Sequence, residues 1–209
     1  MRADGYDEVA KDYADKFLDE LSHKPFDRDL LDKFALRVRP LGPVCDLGCG
    51  PGQVARYLRE RGADVFGIDG SSAMASEAKK ANGQLHFVQG DMRRLPLSNE
   101  SLGGIAALYS LIHLAPEELT GAMAEWRRVL KCNAPVLIAF HVGDETIHLS
   151  DWWEKEVDLD FHFFQSSNLC ELLGQVGFQI ESSLERPPYE PFEHPSTRGY
   201  ILASKLRQS

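Results

Sequence analysis

Apolar positions along this chain fall first at helical and then at alternating helical and strand spacing. Between Asp4 and Leu21 they are Tyr6, Val9, Ala10, Tyr13, Phe17, Leu18 and Leu21, one face of a helix, and Pro25 ends the run. Asp27 then reads as the cap of a second helix whose inner face is Leu30, Leu31, Phe34, Ala35 and Val38. From Pro43 onward short apolar runs predict strands over 43–47, 63–68, 85–88, 103–109 and 135–140. Helical periodicity predicts helices over 53–60, 72–81 and 116–130. Such alternation builds a mostly parallel sheet with helices on both faces. The small residues of 103–109 allow close packing, and Met123, Trp126, Val129 and Leu130 form the buried stripe of the helix that follows. Within 146–165, Val157, Leu159, Phe161 and Phe163 alternate with Asp158, Asp160, His162 and Phe164, the pattern of one strand with an apolar face. A helix over 167–176 closes at Gly177. Strands over 178–184 and 197–204 then pair around a loop holding Pro187, Pro188, Pro191 and Pro195.

The chemistry gathers where the first strand meets its helix, at Asp46-Leu47-Gly48-Cys49-Gly50-Pro51-Gly52-Gln53. Glycine lets a backbone turn at positive φ and lets a ligand approach. The helix N-terminus beyond presents unpaired N–H groups to a negative group. Strand, glycine loop and helix together make a nucleoside-cofactor site. The dinucleotide fingerprint needs glycine at 53, where this chain has Gln. Asp69, at the tip of the second strand, is placed to accept hydrogen bonds from ribose hydroxyls. The alternative is a helix cap, a part that Ser71 or Ser72 could also take.

Composition narrows the partners. A chain of 209 residues, 43% hydrophobic and 26% charged, suits one α/β domain. Its net charge of −9 argues against nucleic acid and anionic membranes. The polar, acidic start lacks a leader's apolar region and no run reaches membrane-spanning length, so a cytoplasmic location with no membrane partner is expected. Cys45, Cys49, Cys132 and Cys170 form no zinc-type pair and read as reduced thiols. The histidines at 113, 141, 148, 162 and 194 contain no close ligand pair at helical spacing, so no metal is expected.

The D-x-G-x-G-x-G run from Asp46 to Gly52 resembles motif I of the class I S-adenosylmethionine (SAM) methyltransferases of the type 11/25 kind. The likeness extends from about Leu41 to Leu206. It takes in Asp69, the Gly90-Asp91-Met92 run, the fourth strand and the terminal strand pair. Asn133 stands where the family usually has Gly-Gly. The resemblance implies a Rossmann-like, doubly wound seven-stranded sheet with an antiparallel last strand, in a single domain over 1–209. It implies SAM as cofactor and S-adenosylhomocysteine as product. Asp46, Gly48, Cys49, Gly50 and Gly52 would surround the amino-acid part, Asp69 the ribose, and Asp91 and Met92 the adenine, with Gly70 and Ser71 as further cofactor contacts. Tyr109, just past the fourth strand, would face both cofactor and acceptor.

His113 and His141 follow strand ends and are the candidate bases, needed only if the acceptor must lose a proton. His148 and His162 are weaker candidates, and a structural role is open for each of the four. Tyr13, Tyr109, His113, His141, Trp152 and Phe161 are the candidate acceptor contacts. Residues 1–40 would form a helical lid, with Tyr6, Tyr13 and the Lys24-Pro25-Phe26 bend at its inner side, or simply pack on the sheet edge. Residues 146–165 would add a lid strand, or an edge strand with no ligand role. No Asn-Pro-Pro-Tyr run follows the fourth strand. The expected activity is methyl transfer to an oxygen, nitrogen or carbon atom of a small molecule, by a monomer or homodimer. The alternatives are an NAD-dependent oxidoreductase and a non-catalytic SAM-binding protein.

Overall fold

Val44–Leu47 (β1) is wholly buried and lies third in a seven-stranded sheet. A computed structural model describes residues 4–207; residues 1–3 and 208–209 of the expected domain lie outside the described residues. On one side of β1 run β2 (Val65–Asp69) and β3 (Phe87–Gln89), both parallel to it. On the other side run β4 (Gly104–Leu108) and β5 (Pro135–His141), also parallel. The last strand, β9 (Arg198–Lys205), inserts antiparallel between β5 and β8 (Phe178–Arg186). The order β3-β2-β1-β4-β5-β9-β8 is the expected seven-stranded sheet with an antiparallel last strand. Strand order reverses between β1 and β4, and ligands of open α/β sheets bind beyond the carboxyl ends at that point.

Helices cover both faces. On one, α5 (Pro116–Val129) and α6 (Ser166–Gln175) pack against Ile105, Val136 and Phe140. Trp126 is fully buried there, and its indole N–H donates to the Met92 carbonyl at 3.0 Å. On the other, α2 (Pro25–Val38) and α3 (Gln53–Glu60) pack against Val44, Ala106 and Leu137. A Cβ at Gly104 would lie 2.7 Å from Val38, so the fourth strand's small residues do serve close packing. α4 (Ser72–Ala81) is capped by Ser71, whose Oγ accepts the Met74 N–H at 3.0 Å. Asn133 makes its turn at φ 63°. Among the described residues no helix is long and apolar enough to cross a membrane.

Two expectations need correction. The first helix, α1, spans Asp4–Phe17, and a short 3-10 turn over Glu20–His23 follows it. Pro25 then starts α2 instead of separating two helices, because its fixed φ suits a first helical turn. Asp27 is consequently no cap: it sits inside α2, 1% exposed, bonded to Arg186 and Tyr200. Residues 146–165 hold two strands where one was expected, β6 (Thr146–Trp152) and β7 (Lys155–His162), paired as a hairpin outside the main sheet. The hairpin's buried Val157 and Leu159 pack on Val9 of α1. It is therefore not an edge strand of the main sheet.

Candidate active site

The glycine loop leads from β1 to α3, with Gly48, Gly50 and Gly52 at φ 70°, 52° and 84°. A Cβ at Gly48 would sit 2.2 Å from Ser110 Cβ, whereas one at Gly50 would meet nothing closer than 3.9 Å. The first glycine serves packing; the second leaves the loop open to a ligand. Asp46 lies beneath the loop, 2% exposed, and accepts the Ala55 N–H at 2.9 Å. Burial pushes its carboxyl up to about 7, and that hydrogen bond only partly opposes the shift. Asp69 accepts the N–H groups of Gly50 at 2.8 Å and Ser71 at 2.9 Å, which ties loop to strand tip. Burial raises its carboxyl above the ordinary range.

A cavity of about 230 Å³ opens beyond the ends of β1 and β4. Gly48, Gly50 and Asp69 form its floor, while Tyr6, Tyr13, Trp152, Tyr109 and His113 form its walls. Lys24, His141, His194 and Arg198 close its inner end. The other expected cofactor residues stand apart from the lining. Cys49 and Met92 are 3% and 2% exposed, packed under the loop with Gly52. Ser71 donates its hydroxyl to Asp7 of α1, beside Gly70. The Asp91 carboxylate is held by Arg93, with Nε–Oδ1 at 2.9 Å and Nη2–Oδ2 at 2.6 Å, and Arg93 also pairs with Glu118. Phe161 is not a wall residue either; it packs behind His113 and Trp152, at centroid distances of 4.8 and 5.8 Å.

The hydrogen bonds of the two candidate bases fix their tautomers. His113 Nδ1 lies 3.0 Å from the Asp160 carbonyl, which can only accept, so Nδ1 carries the proton. Its Nε2 then accepts the Tyr6 hydroxyl at 3.0 Å. Burial lowers this imidazole to about 4. His141 Nδ1 faces Arg198 Nη1 at 2.9 Å and Ser196 Oγ at 2.7 Å. A guanidinium only donates, so this ring keeps its proton on Nε2. Burial first, then the charges of Arg198, His194 and Lys24, push His141 down to about 3. A base needs a free lone pair. That of His141 is spent on Arg198, and that of His113 is free only if Tyr6 leaves. His148 and His162 bond within the hairpin, to Asp160 and Thr146.

Several partnerships escaped the sequence reading. Glu20 takes the Lys24 ammonium at 2.6 Å and the Gln53 amide at 2.9 Å. Gln53 Oε1 is buried with no partner among the described residues. Tyr109, at φ 55°, meets the Tyr200 hydroxyl at 2.9 Å above Asp27. A pattern of i, i+4 charges at 20 and 24 was the one local signal; the partners at 193, 194 and 198 arrive from the far end of the chain. Among the described residues no group of His, Cys, Asp and Glu could hold a metal ion. An open glycine, an orphaned amide oxygen and an adjacent ion pair fit a ligand that carries both an ammonium and a carboxylate.

A methyltransferase-domain family matches residues 44–133. The malonyl-[acyl-carrier protein] O-methyltransferase of Enterobacter lignolyticus is 35% identical over 63% of this chain and 52% of its own length. An uncharacterized methyltransferase of a Geobacillus species is 28% identical over 66% of this chain and 62% of its own. The chain thus spans less than two thirds of either relative. Among solved structures, the 1,6-didemethyltoxoflavin-N1-methyltransferase of Burkholderia thailandensis superposes with a TM-score of 0.71 at 20% identity, over 95% of this chain and 84% of that one. It was solved with 1,6-didemethyltoxoflavin and S-adenosylhomocysteine bound.

Proposed function

We infer that this chain is a class I SAM-dependent methyltransferase, as the matched methyltransferase domain and relatives support, and that it moves the methyl group of SAM onto an oxygen, nitrogen or carbon atom of a small molecule. The observation that carries the reading is the floor of the cavity, where Gly50 is open and the Lys24–Glu20 pair stands beside Gln53. When bound, SAM supplies a methyl carbon made electrophilic by the sulfonium. Lys24 would receive the carboxylate of the cofactor and Glu20 its ammonium. Asp69 would turn to the ribose, and Asp91 and Met92 would flank the adenine. The rings of Tyr6, Tyr13 and Trp152 suit the neighbourhood of a sulfonium, since π-faces attract cations, and they exclude water.

Holding acceptor, methyl and sulfur in line can supply most of the acceleration. The cavity's part would be to hold an acceptor lone pair behind the methyl carbon, opposite the sulfur that would keep the electron pair of the broken bond. With both imidazole lone pairs engaged, the reading favours an acceptor that is already ionised or uncharged and nucleophilic; His113 acts as base only after Tyr6 has moved. Within the same proposal, α1 and the β6–β7 hairpin are the lid, and the protein works in the cytoplasm as a monomer or homodimer without nucleic acid or membrane.

The test is calorimetric titration with SAM, S-adenosylhomocysteine and NADH, on the protein and on Asp69→Ala. Micromolar-range binding of the first two, weakened about ten-fold or more in the variant, is expected, with no response to NADH. Binding of NADH alone would turn the assignment to an oxidoreductase. SAM binding without turnover across a metabolite panel would leave a non-catalytic SAM-binding protein.

A further inference from the structure

The inner end of the cavity holds a cation that no carboxylate neutralises at hydrogen-bond distance. Arg186 is neutralised by hydrogen-bonded carboxylates, Asp27 accepting from it at 2.7 Å and Glu193 at 2.7 and 3.0 Å, although its Nε–H has no partner among the described residues. Lys24 is satisfied by Glu20, and its next carboxylate oxygen, on Glu193, is 3.7 Å away. Arg198 differs. It donates only to neutral acceptors, His141 Nδ1, Ser196 and the His194 carbonyl. Its nearest carboxylate oxygen, on Glu193, is 3.6 Å away, and its Nε–H has no hydrogen-bond partner although the side chain is 4% exposed. A guanidinium removed from water without a hydrogen-bonded counter-ion is costly, and a ligand anion in the cavity would offset that cost. Beside it, the tautomer of His141 leaves Nε2–H as a second donor, also without a hydrogen bond among the described residues.

We propose, on the methyltransferase reading of this cavity, that the methyl acceptor is a small carboxylic acid whose carboxylate seats on Arg198 and His141. Lys24 takes Glu20, and Arg186 takes both Asp27 and Glu193, which leaves Arg198 with a carboxylate oxygen no nearer than 3.6 Å. A ligand carboxylate would bond it directly. The positive potential is already felt at His141, where burial is the first cause of its low pKa and Arg198, His194 and Lys24 deepen it against Glu193. Arginine and a neutral N–H donor together match the two oxygens of a carboxylate. A primary amide of the same shape brings its own N–H groups against these donors and is rejected. Ser196 and the Arg198–His141 bond keep the pair oriented, so the site is fixed before the ligand arrives.

The experiment titrates the full chain with short aliphatic and phenyl-substituted carboxylic acids, each paired with its primary amide, with and without saturating S-adenosylhomocysteine. At least one acid is expected to bind about ten-fold tighter than its amide. Arg198→Lys should keep most of that preference and Arg198→Gln should erase it, both variants melting cooperatively and binding S-adenosylhomocysteine within about two-fold of the parent. The proposal is overturned if no acid outbinds its amide, or if the preference survives Arg198→Gln. It is equally overturned if Arg198→Gln loses S-adenosylhomocysteine as severely as the acid, because the cation then serves the cofactor. An acid preference dependent on Arg198 in a protein that ignores S-adenosylhomocysteine would support the carboxylate site and sink the methyltransferase reading alone.

Discussion

Gly48 and Gly50 share a backbone conformation and differ in what surrounds them. At both, a side chain in the left-handed region costs about 1–2 kcal/mol. At Gly48 the added Cβ also strikes Ser110 at 2.2 Å, where Ser110 Oγ is fixed on the Leu47 carbonyl at 2.7 Å. Overpacking of that kind costs about 1–3 kcal/mol more. At Gly50 the new methyl instead projects into space 3.9 Å from Tyr13 and Gln53. Urea unfolding should therefore show Gly48→Ala losing roughly twice as much stability as Gly50→Ala. Calorimetry should show Gly50→Ala losing about ten-fold or more in S-adenosylhomocysteine affinity while it stays folded. Equal losses of stability and unchanged affinity would mean that the loop is only a packing device. The glycines were legible because their spacing is local. Arg198 and Glu193 were not, since their partners His141 and Lys24 lie far away along the chain.

Among the elements, the hairpin marks where local pattern stops being sufficient. The alternation from Val157 to Phe163 was readable as a strand; its partner Thr146–Trp152 was not. A register shift between Leu149 and Asp151 breaks that strand's alternation. The two-residue turn, Trp153–Glu154, has φ of 55° and 64°, values that hairpins ordinarily fill with Asn-Gly. A Trp-Glu pair gives no such signal. Trp153 is held there by contacts, 4.8 Å from Trp152 between ring centroids and 5.0 Å beneath the Lys16 ammonium. Glu154 is exposed at the turn. Glu154→Gly should relieve about 1 kcal/mol of backbone strain and slow amide exchange across 146–162 about five-fold. Unchanged or faster exchange would show that the left-handed glutamate carries no cost. The same limit explains Asp27. Its position near a proline reads as a cap, while its actual partners are Arg186 and Tyr200 on the last two strands.

At the scale of the whole molecule, α1 is a strap between the hairpin and the sheet. Lys155 of β7 binds Asp12 at 2.7 Å and the Glu8 carbonyl at 2.7 Å, and Asp7 caps the Ala73 N–H of α4 at 3.0 Å. Tyr6 reaches across to His113. The cavity beneath it, about 230 Å³, is smaller than the roughly 300–1,000 Å³ of ordinary ligand pockets. If SAM and its acceptor bind here as proposed, the strap should lift during loading. Stopped-flow tryptophan fluorescence reads this directly, because Trp152 and Trp153 belong to the hairpin while Trp126 is sealed in the core. The observed rate should level off as S-adenosylhomocysteine is raised, the plateau being the opening rate. Tyr6→Phe removes one hydrogen bond, about 1 kcal/mol, and should lift the plateau about five-fold. A rate that climbs linearly at every concentration, equally in both proteins, would mean the cavity is open without the strap moving. The same tyrosine occupies the lone pair of His113, so if the strap lifts, that lone pair is freed with it. If His113 takes a proton from the acceptor, Tyr6→Phe should change the dependence of turnover on pH as well as the loading rate. A strap that acts only as a cover would change the loading rate alone.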